Sequence, residues 1–129
     1  MGSTEATNAG TLIRAGSIYK VENGYLGLSS MNIGGVEAAI DDALTHPEGS
    51  VMSSGFFELK ASEPLVYTYT CDEMKVVIKG EFKLTDRATG EVTHAKERDV
   101  LFFPKGAQIT FETPDYGLGF FVAHGSMSA

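Results

Sequence analysis

From Val51 onward, apolar and polar residues trade places over runs of about 4–10 residues, the length and texture of β-strands. Val51–Lys60, Leu65–Thr70, Glu73–Lys79, Glu81–Thr85, Val92–Ala95, Val100–Phe103, Ala107–Glu112 and Leu118–Ala123 read as strands. Glu63-Pro64, Lys79-Gly80, Ala88-Thr89-Gly90, Pro104-Lys105-Gly106 and Thr113-Pro114-Asp115 punctuate them. Thr85–Glu91, with Gly90, is a hairpin loop. Many short strands at regular spacing predict an all-β sandwich or barrel. Upstream, Thr11–Lys20 and Val21–Ser30 read as short strands or extended segments. Val36, Ala39, Ile40 and Ala43 are spaced for one helical face, so Val36–Leu44 is expected to be a short helix stopped by His46-Pro47-Glu48-Gly49. Residues 1–10 are small and polar and are expected to form a disordered tail, with one domain over 11–129.

Composition narrows the chemistry. The chain of 129 residues carries 17 acidic and 10 basic side chains, a net charge of −7, and no basic run stands out. Nucleic acid and anionic membranes are therefore poor partners. Apolar runs are far shorter than the roughly 20 residues of a membrane span, and the N-terminus lacks the apolar core of a signal peptide. The lone Cys71 fits a reducing compartment, and a cytoplasmic location is expected. One cysteine and three histidines exclude zinc fingers and iron–sulfur sites. His46, His94 and His124 lie far apart in sequence with no H-x-H spacing, which argues against a metal site.

Two stretches carry a resemblance. Glu73-Met-Lys-Val-Val-Ile-Lys-Gly80 has an E-x6-G spacing, and Asp99-Val-Leu-Phe-Phe-Pro104-Lys-Gly106 holds a P-x-G core. In this order, on strands joined by a hairpin, they resemble the two motifs of the cupin superfamily over roughly residues 51–124. Asp72-Glu73, Ala95-Lys96, Phe103-Pro104-Lys105-Gly106, Phe111-x-Thr-Pro114 and Phe121-Val122-Ala123 are most similar to the EutQ-like cupins of ethanolamine utilisation. The resemblance implies a double-stranded β-helix, or jelly-roll barrel, and a homodimer.

The departures are informative. Metal-binding cupins place histidines where this chain has Tyr67, Tyr69 and Ile109, and a glycine where it has Arg98; only Glu73 remains of the four ligands. No metal and no other cofactor is expected, because such sites rely on imidazole.

Alternation puts Glu73, Lys75 and Val77 on one strand face. The resemblance implies that Glu73 points into the barrel, so Lys75 should follow, with Tyr67 and Tyr69 if the strand stays regular. A carboxylate, an ammonium and two phenols in one pocket make a candidate acid–base set. Glu73, or His124 at the end of the last strand, would be the base; a tyrosine would donate to developing oxyanion charge, and Lys75 would tune the carboxylate. The bland alternatives are a structural Glu73–Lys75 pair, core tyrosines, a rim histidine without a task and a buried, inert Cys71. Asp41-Asp42 reads as a solvated helix face.

The function expected is metal-independent acid–base chemistry, a dehydration, isomerisation, cyclisation or other lyase-type reaction on a small oxygenated metabolite. The alternative is a non-catalytic ligand-binding or accessory protein of an ethanolamine-utilisation-like pathway. Phosphotransfer from an acyl phosphate, an activity the resemblance brings with it, lacks a phosphate-cradling loop or arginine cluster here.

Overall fold

Period-two burial runs through the strands and builds the fold. A computed structural model describes residues 4–7, 10–49 and 51–125, and every regular element among them is a strand. In Ser53–Lys60 every second residue is buried, as expected where one face of a strand lines a core and the other meets solvent or a second layer.

A three-stranded antiparallel sheet comes first, β1 (Thr4–Thr7), β2 (Gly10–Ala15) and β3 (Ile18–Glu22), in that order. Thr4–Thr7 fall in the stretch read as a tail and are described as a strand paired with β2. The rest of residues 1–9 lie outside the described residues. Thr11–Lys20, read as short strands or extended segments, spans β2 and the start of β3 with the turn at Gly16.

The larger sheet follows the order β4 (Ser29–Ser30), β5 (Ala38–Thr45), β6 (Ser53–Lys60), β12 (Tyr116–Ala123), β8 (Glu73–Asp86), β11 (Gln108–Glu112) and β7 (Leu65–Thr68). β9 (Val92–Lys96) and β10 (Val100–Phe103) also pair with β8. β8 belongs to both walls of the barrel. Its first half pairs with β10 and β12, and its second half with β9 and β11. The bend falls at Gly80, whose φ is 73° and where a Cβ would collide with the Tyr116 carbonyl. The two motif strands read as Glu73–Lys79 and Glu81–Thr85 are thus one bent strand. Phe57, Phe82, Phe111 and Phe121 fill the space between the walls, each contributing on the order of 2–3 kcal/mol by burial.

The helix expected over Val36–Leu44 is not present: these residues form β5. Ala38 and Ile40 face the core opposite Leu59 and Phe57. A register shift between Asp42 and Leu44 then disturbs the alternation. Ala43 is buried where Gly24 comes against it. A bulge inside a strand produced apolar spacings of three and four residues that mimic a helical face.

Candidate functional site

The start of β8 sends Glu73, Lys75 and Val77 inward, all three almost wholly buried. Lys75 Nζ lies 3.1 Å from Glu73 Oε2. The ammonium also stands over four phenyl rings, at 4.7 Å from the Phe57 centroid, 5.1 Å from Phe111, 5.4 Å from Phe103 and 6.0 Å from Phe121. Ring faces attract a cation and take the place of part of its hydration shell. Gly119 on β12 leaves room for the lysine stem, since a Cβ there would sit 2.8 Å from Lys75 Cδ.

Tyr67 on β7 and Tyr69, just past its end, continue the same inward face. Tyr69 is held by reciprocal backbone bonds, its N–H to the Ala107 carbonyl at 2.9 Å and the Gly106 N–H to its own carbonyl at 2.8 Å. The P-x-G turn therefore fixes the tyrosine. Its hydroxyl donates to Glu73 Oε2 at 3.2 Å, and its ring stacks on Phe103 with centroids 4.7 Å apart. The Tyr67 ring meets it edge-on at 4.9 Å. Glu73 Oε2 thus takes both donors. Glu73 Oε1 is buried and has no hydrogen-bond partner among the described residues.

Burial dominates the electrostatics. It raises the Glu73 carboxyl above its ordinary value, against the lowering pull of Lys75 and Tyr69. It lowers Lys75, against the raising pull of Glu73. Tyr67 is pushed up to about 12 by burial, then by the charges of Glu73, Cys71 and Asp42. Tyr69 is raised by burial and by Glu73. Both phenols stay protonated in the neutral range. Cys71 is raised as well, by burial and then Glu73, so it is no thiolate nucleophile.

A cavity of about 10 Å³ lies against this cluster, lined by Tyr67, Tyr69, Glu73 and Lys75 with Met31 and Ile40 among its apolar walls. Four of the five residues expected to carry chemistry are therefore brought together. His124 is not among the lining residues. It follows buried Ala123, so it faces outward, exposed, beside a groove lined by Met52, Phe102 and Val122. His46 caps its turn by accepting the Glu48 N–H at 3.0 Å, and His94 is exposed on β9. Asp42, read as solvated, lies inside the electrostatic reach of Tyr67 and Cys71, and its Oδ1 is buried. Once Ala38–Thr45 is a strand, alternation with Ala38 and Ile40 turns Asp42 inward; the helical reading hid it.

The fold and the paired motifs define a cupin barrel. The Cupin_2 domain of an XRE family transcriptional regulator from Enterobacter cloacae superposes with a TM-score of 0.57 at 14% identity, covering 67% of this chain and 95% of that one. A family model, Ethanolamine utilisation protein EutQ, matches residues 31–126, and the chain belongs to that family. A crystal structure of a putative ethanolamine utilization protein Q from Salmonella typhimurium LT2 matches at 25% identity and a TM-score of 0.73, over 98% of this chain and 97% of that one. The Salmonella typhimurium protein named Acetate kinase EutQ is 40% identical over 76 residues, 58% of this chain and 31% of that protein. The chain spans about a third of the length of the curated relatives it matches.

A divalent metal does not fit the residues present. Ile109 offers no donor, the two phenols hold their protons, and the one carboxylate already faces the Lys75 ammonium at 3.1 Å. No group of three or more His, Cys, Asp or Glu able to hold a metal occurs among the described residues.

Proposed function

We propose that this barrel carries out metal-independent acid–base chemistry on a small oxygenated metabolite, in service of ethanolamine utilisation. One observation carries the reading: the buried Glu73 carboxyl has both protein donors on Oε2, its Oε1 has no hydrogen-bond partner among the described residues, and the residue lines a cavity. A carboxyl raised by burial holds its proton more readily than an exposed one, which suits it to take up and return a proton. In the step proposed, a C–H bond beside a carbonyl breaks and its proton goes to Oε1. The electron pair moves onto the carbonyl oxygen, which accepts a hydrogen bond from the protonated Tyr67. Lys75 and Tyr69 hold Oε2 and orient the carboxylate. The reverse step returns the proton, so atoms and charge balance.

The experiment is solvent hydrogen exchange. Acetaldehyde, glycolaldehyde and aminoacetone are incubated with the protein in D2O, and loss of the α-proton signal is followed by NMR. Acceleration that disappears in Glu73→Gln supports the reading. No acceleration, or the same rate in Glu73→Gln, ends it. Acetyl phosphate with ADP serves as a parallel assay, because two relatives are named Acetate kinase EutQ.

A second reading rests on the cavity of about 10 Å³, room for little more than one water. There the Glu73–Lys75 pair plugs the barrel and the protein is an accessory component. In either case we expect a homodimer in the cytoplasm. The outer face of β8, β10 and β12 exposes Met74, Ile78, Val100, Phe102 and Val122, an apolar patch of the kind partners cover.

A further inference from the structure

We infer that the connection Met31–Glu37, between β4 and β5, is a lid over the barrel interior, with Met31 as its plug. This rests on the acid–base reading of the same site and says how a ligand reaches it.

The need for an opening follows from size. The Glu73 and Lys75 side chains are 0% and 3% exposed, and the cavity beside them, about 10 Å³, has room for about one water. No molecule with a C–H bond beside a carbonyl enters unless a wall moves.

Burial locates that wall. Around the cavity, Met31, Ile40 and Tyr67 are half-buried, and every other lining residue is buried. The mouth therefore lies at these three. Ile40 is held in the β5–β6 ladder and Tyr67 in the β7–β11 ladder. Met31 belongs to no strand.

The connection is weakly fastened. The large sheet ends in β4 on one side and β7 on the other, and the connection runs from β4 to the turn that precedes β7. There the Glu63 N–H donates to the Gly35 carbonyl at 2.9 Å, and the Glu37 N–H donates to Ser62 Oγ at 3.0 Å. All four residues are exposed. At the tip, a Cβ on Gly34 would meet nothing within 4 Å, and one on Gly35 would meet only the Glu63 side chain. Met31 and Val36 are the residues of the connection that pack against the core. Its roots are the bonds from the Met31 N–H to the Ala38 carbonyl and from the Lys60 N–H to the Glu37 carbonyl, both 2.9 Å. Freeing the lid breaks two exposed bonds and withdraws two half-buried side chains, whereas moving Ile40 or Tyr67 tears a ladder. Local opening takes the weaker attachment.

The first test is amide hydrogen exchange of the whole chain, followed by NMR. The Glu37 and Glu63 amides should exchange together, at least about a hundredfold faster than those at the centres of β6 and β12. Leu84→Val weakens the core away from the cavity and should speed the slow barrel amides about fivefold. The two lid amides should keep their rates, because the barrel stays folded when the lid opens. Lid amides as slow as the barrel, or accelerated in step with it, overturn the inference.

The second test locks the lid. A Cβ at Gly35 would lie 3.5 Å from Glu63 Cβ, within reach of a disulfide. Gly35→Cys/Glu63→Cys is made with Cys71→Ser, and the oxidised and reduced forms of this one chain are compared. Access to the interior is read by reductive methylation with formaldehyde and cyanoborohydride, followed by mass spectrometry. Lys75 should be methylated about tenfold or more slowly in the oxidised form, while exposed Lys20 and Lys96 react equally in both. Equal methylation of Lys75 in the two forms would mean another entrance and overturns the inference. If the double-cysteine chain does not fold or oxidise, the exchange experiment with Leu84→Val decides. A lid that opens over a chain with no catalysed α-proton exchange sinks the acid–base reading alone; catalysed exchange undiminished in the oxidised form sinks this inference alone.

Discussion

Lys75 Nζ and Glu73 Oε2 meet at 3.1 Å inside the barrel, two positions apart on one strand, with both side chains shut off from solvent. Such a pair gains from proximity but has given up the hydration of two charges. Removing one partner strands the other. Lys75→Met and Glu73→Gln should each cost about 3–5 kcal/mol of stability, read from urea midpoints. The double variant Glu73→Gln/Lys75→Met should cost less than the sum of the singles. Strict additivity would show that the pair is not energetically coupled.

The pair also sets a pH dependence. Glu73 lies above its ordinary value of 4.5 in the folded state, chiefly through burial. A carboxyl raised on folding stabilises fully below the unfolded value. That stability is lost as pH climbs from about 4.5 through the folded value. Lys75 limits the loss by holding the carboxylate. Stability of the parent relative to Glu73→Gln should therefore fall as pH rises above that point. In a Lys75→Met background the fall should be steeper, because the lowering partner is gone. A flat difference profile, measured by denaturant unfolding at several pH values, would contradict this.

The lysine cage depends on one missing methyl. A Cβ at Gly119 would stand 2.8 Å from Lys75 Cδ and 2.9 Å from Cγ, and the caged stem cannot step aside. Gly119→Ala should destabilise by about 1–3 kcal/mol through overpacking and disturb the Glu73 carboxyl resonance. Gly34→Ala is the matched control, since a Cβ at Gly34 meets nothing within 4 Å. Equal effects of the two substitutions would remove the packing argument.

The strands from Ser53 to Ala123 were legible because their inner faces obey period two, as Ser53, Phe57 and Leu59 show. Glu73 and Lys75 were legible for the same reason. Two things were not. The bulge in β5 gave Ala39, Ile40 and Ala43 a helical spacing, and that reading put the partly buried Asp42 on a solvated face. The phenyl cage is assembled from Phe57 on β6, Phe103 on β10, Phe111 on β11 and Phe121 on β12, residues far apart in sequence. Local pattern assigns each of them to the core and cannot say that they converge on one ammonium. The outward turn of His124 was within reach, since it follows inward Phe121 and Ala123 by alternation.

The departure at Arg98 has a backbone consequence. Arg98 has a φ of 76°, the left-handed region, at the position where the cupin pattern expects glycine. A side chain there costs on the order of 1–2 kcal/mol. Its N–H donates to the Val77 carbonyl at 2.9 Å, a bond any residue can make. Arg98→Gly should keep that bond and relieve the strain, offset in part by the greater freedom of glycine in the unfolded chain. The expected result is a gain of about 1 kcal/mol, seen as a higher Tm by calorimetry. An unchanged or lower Tm would mean that the arginine side chain contributes stabilising contacts of its own.

The apolar outer face offers the last prediction. Val100 is 71% exposed, Met74 58% and Phe102 57%, and the three side chains lie on neighbouring strands. Phe102 is registered with Met74, and Met74 with Val122, so the patch is continuous across β10, β8 and β12. A patch of this kind left in water favours association, and a second copy of the same face is the simplest partner. The chain should sediment as a dimer at micromolar concentration. Phe102→Lys or Met74→Glu should shift it to monomer without lowering the cooperativity of unfolding, because neither side chain belongs to the core. A monomeric parent chain would defeat the proposal. A dimer insensitive to both substitutions would place the interface on another face, leaving this patch to a different partner.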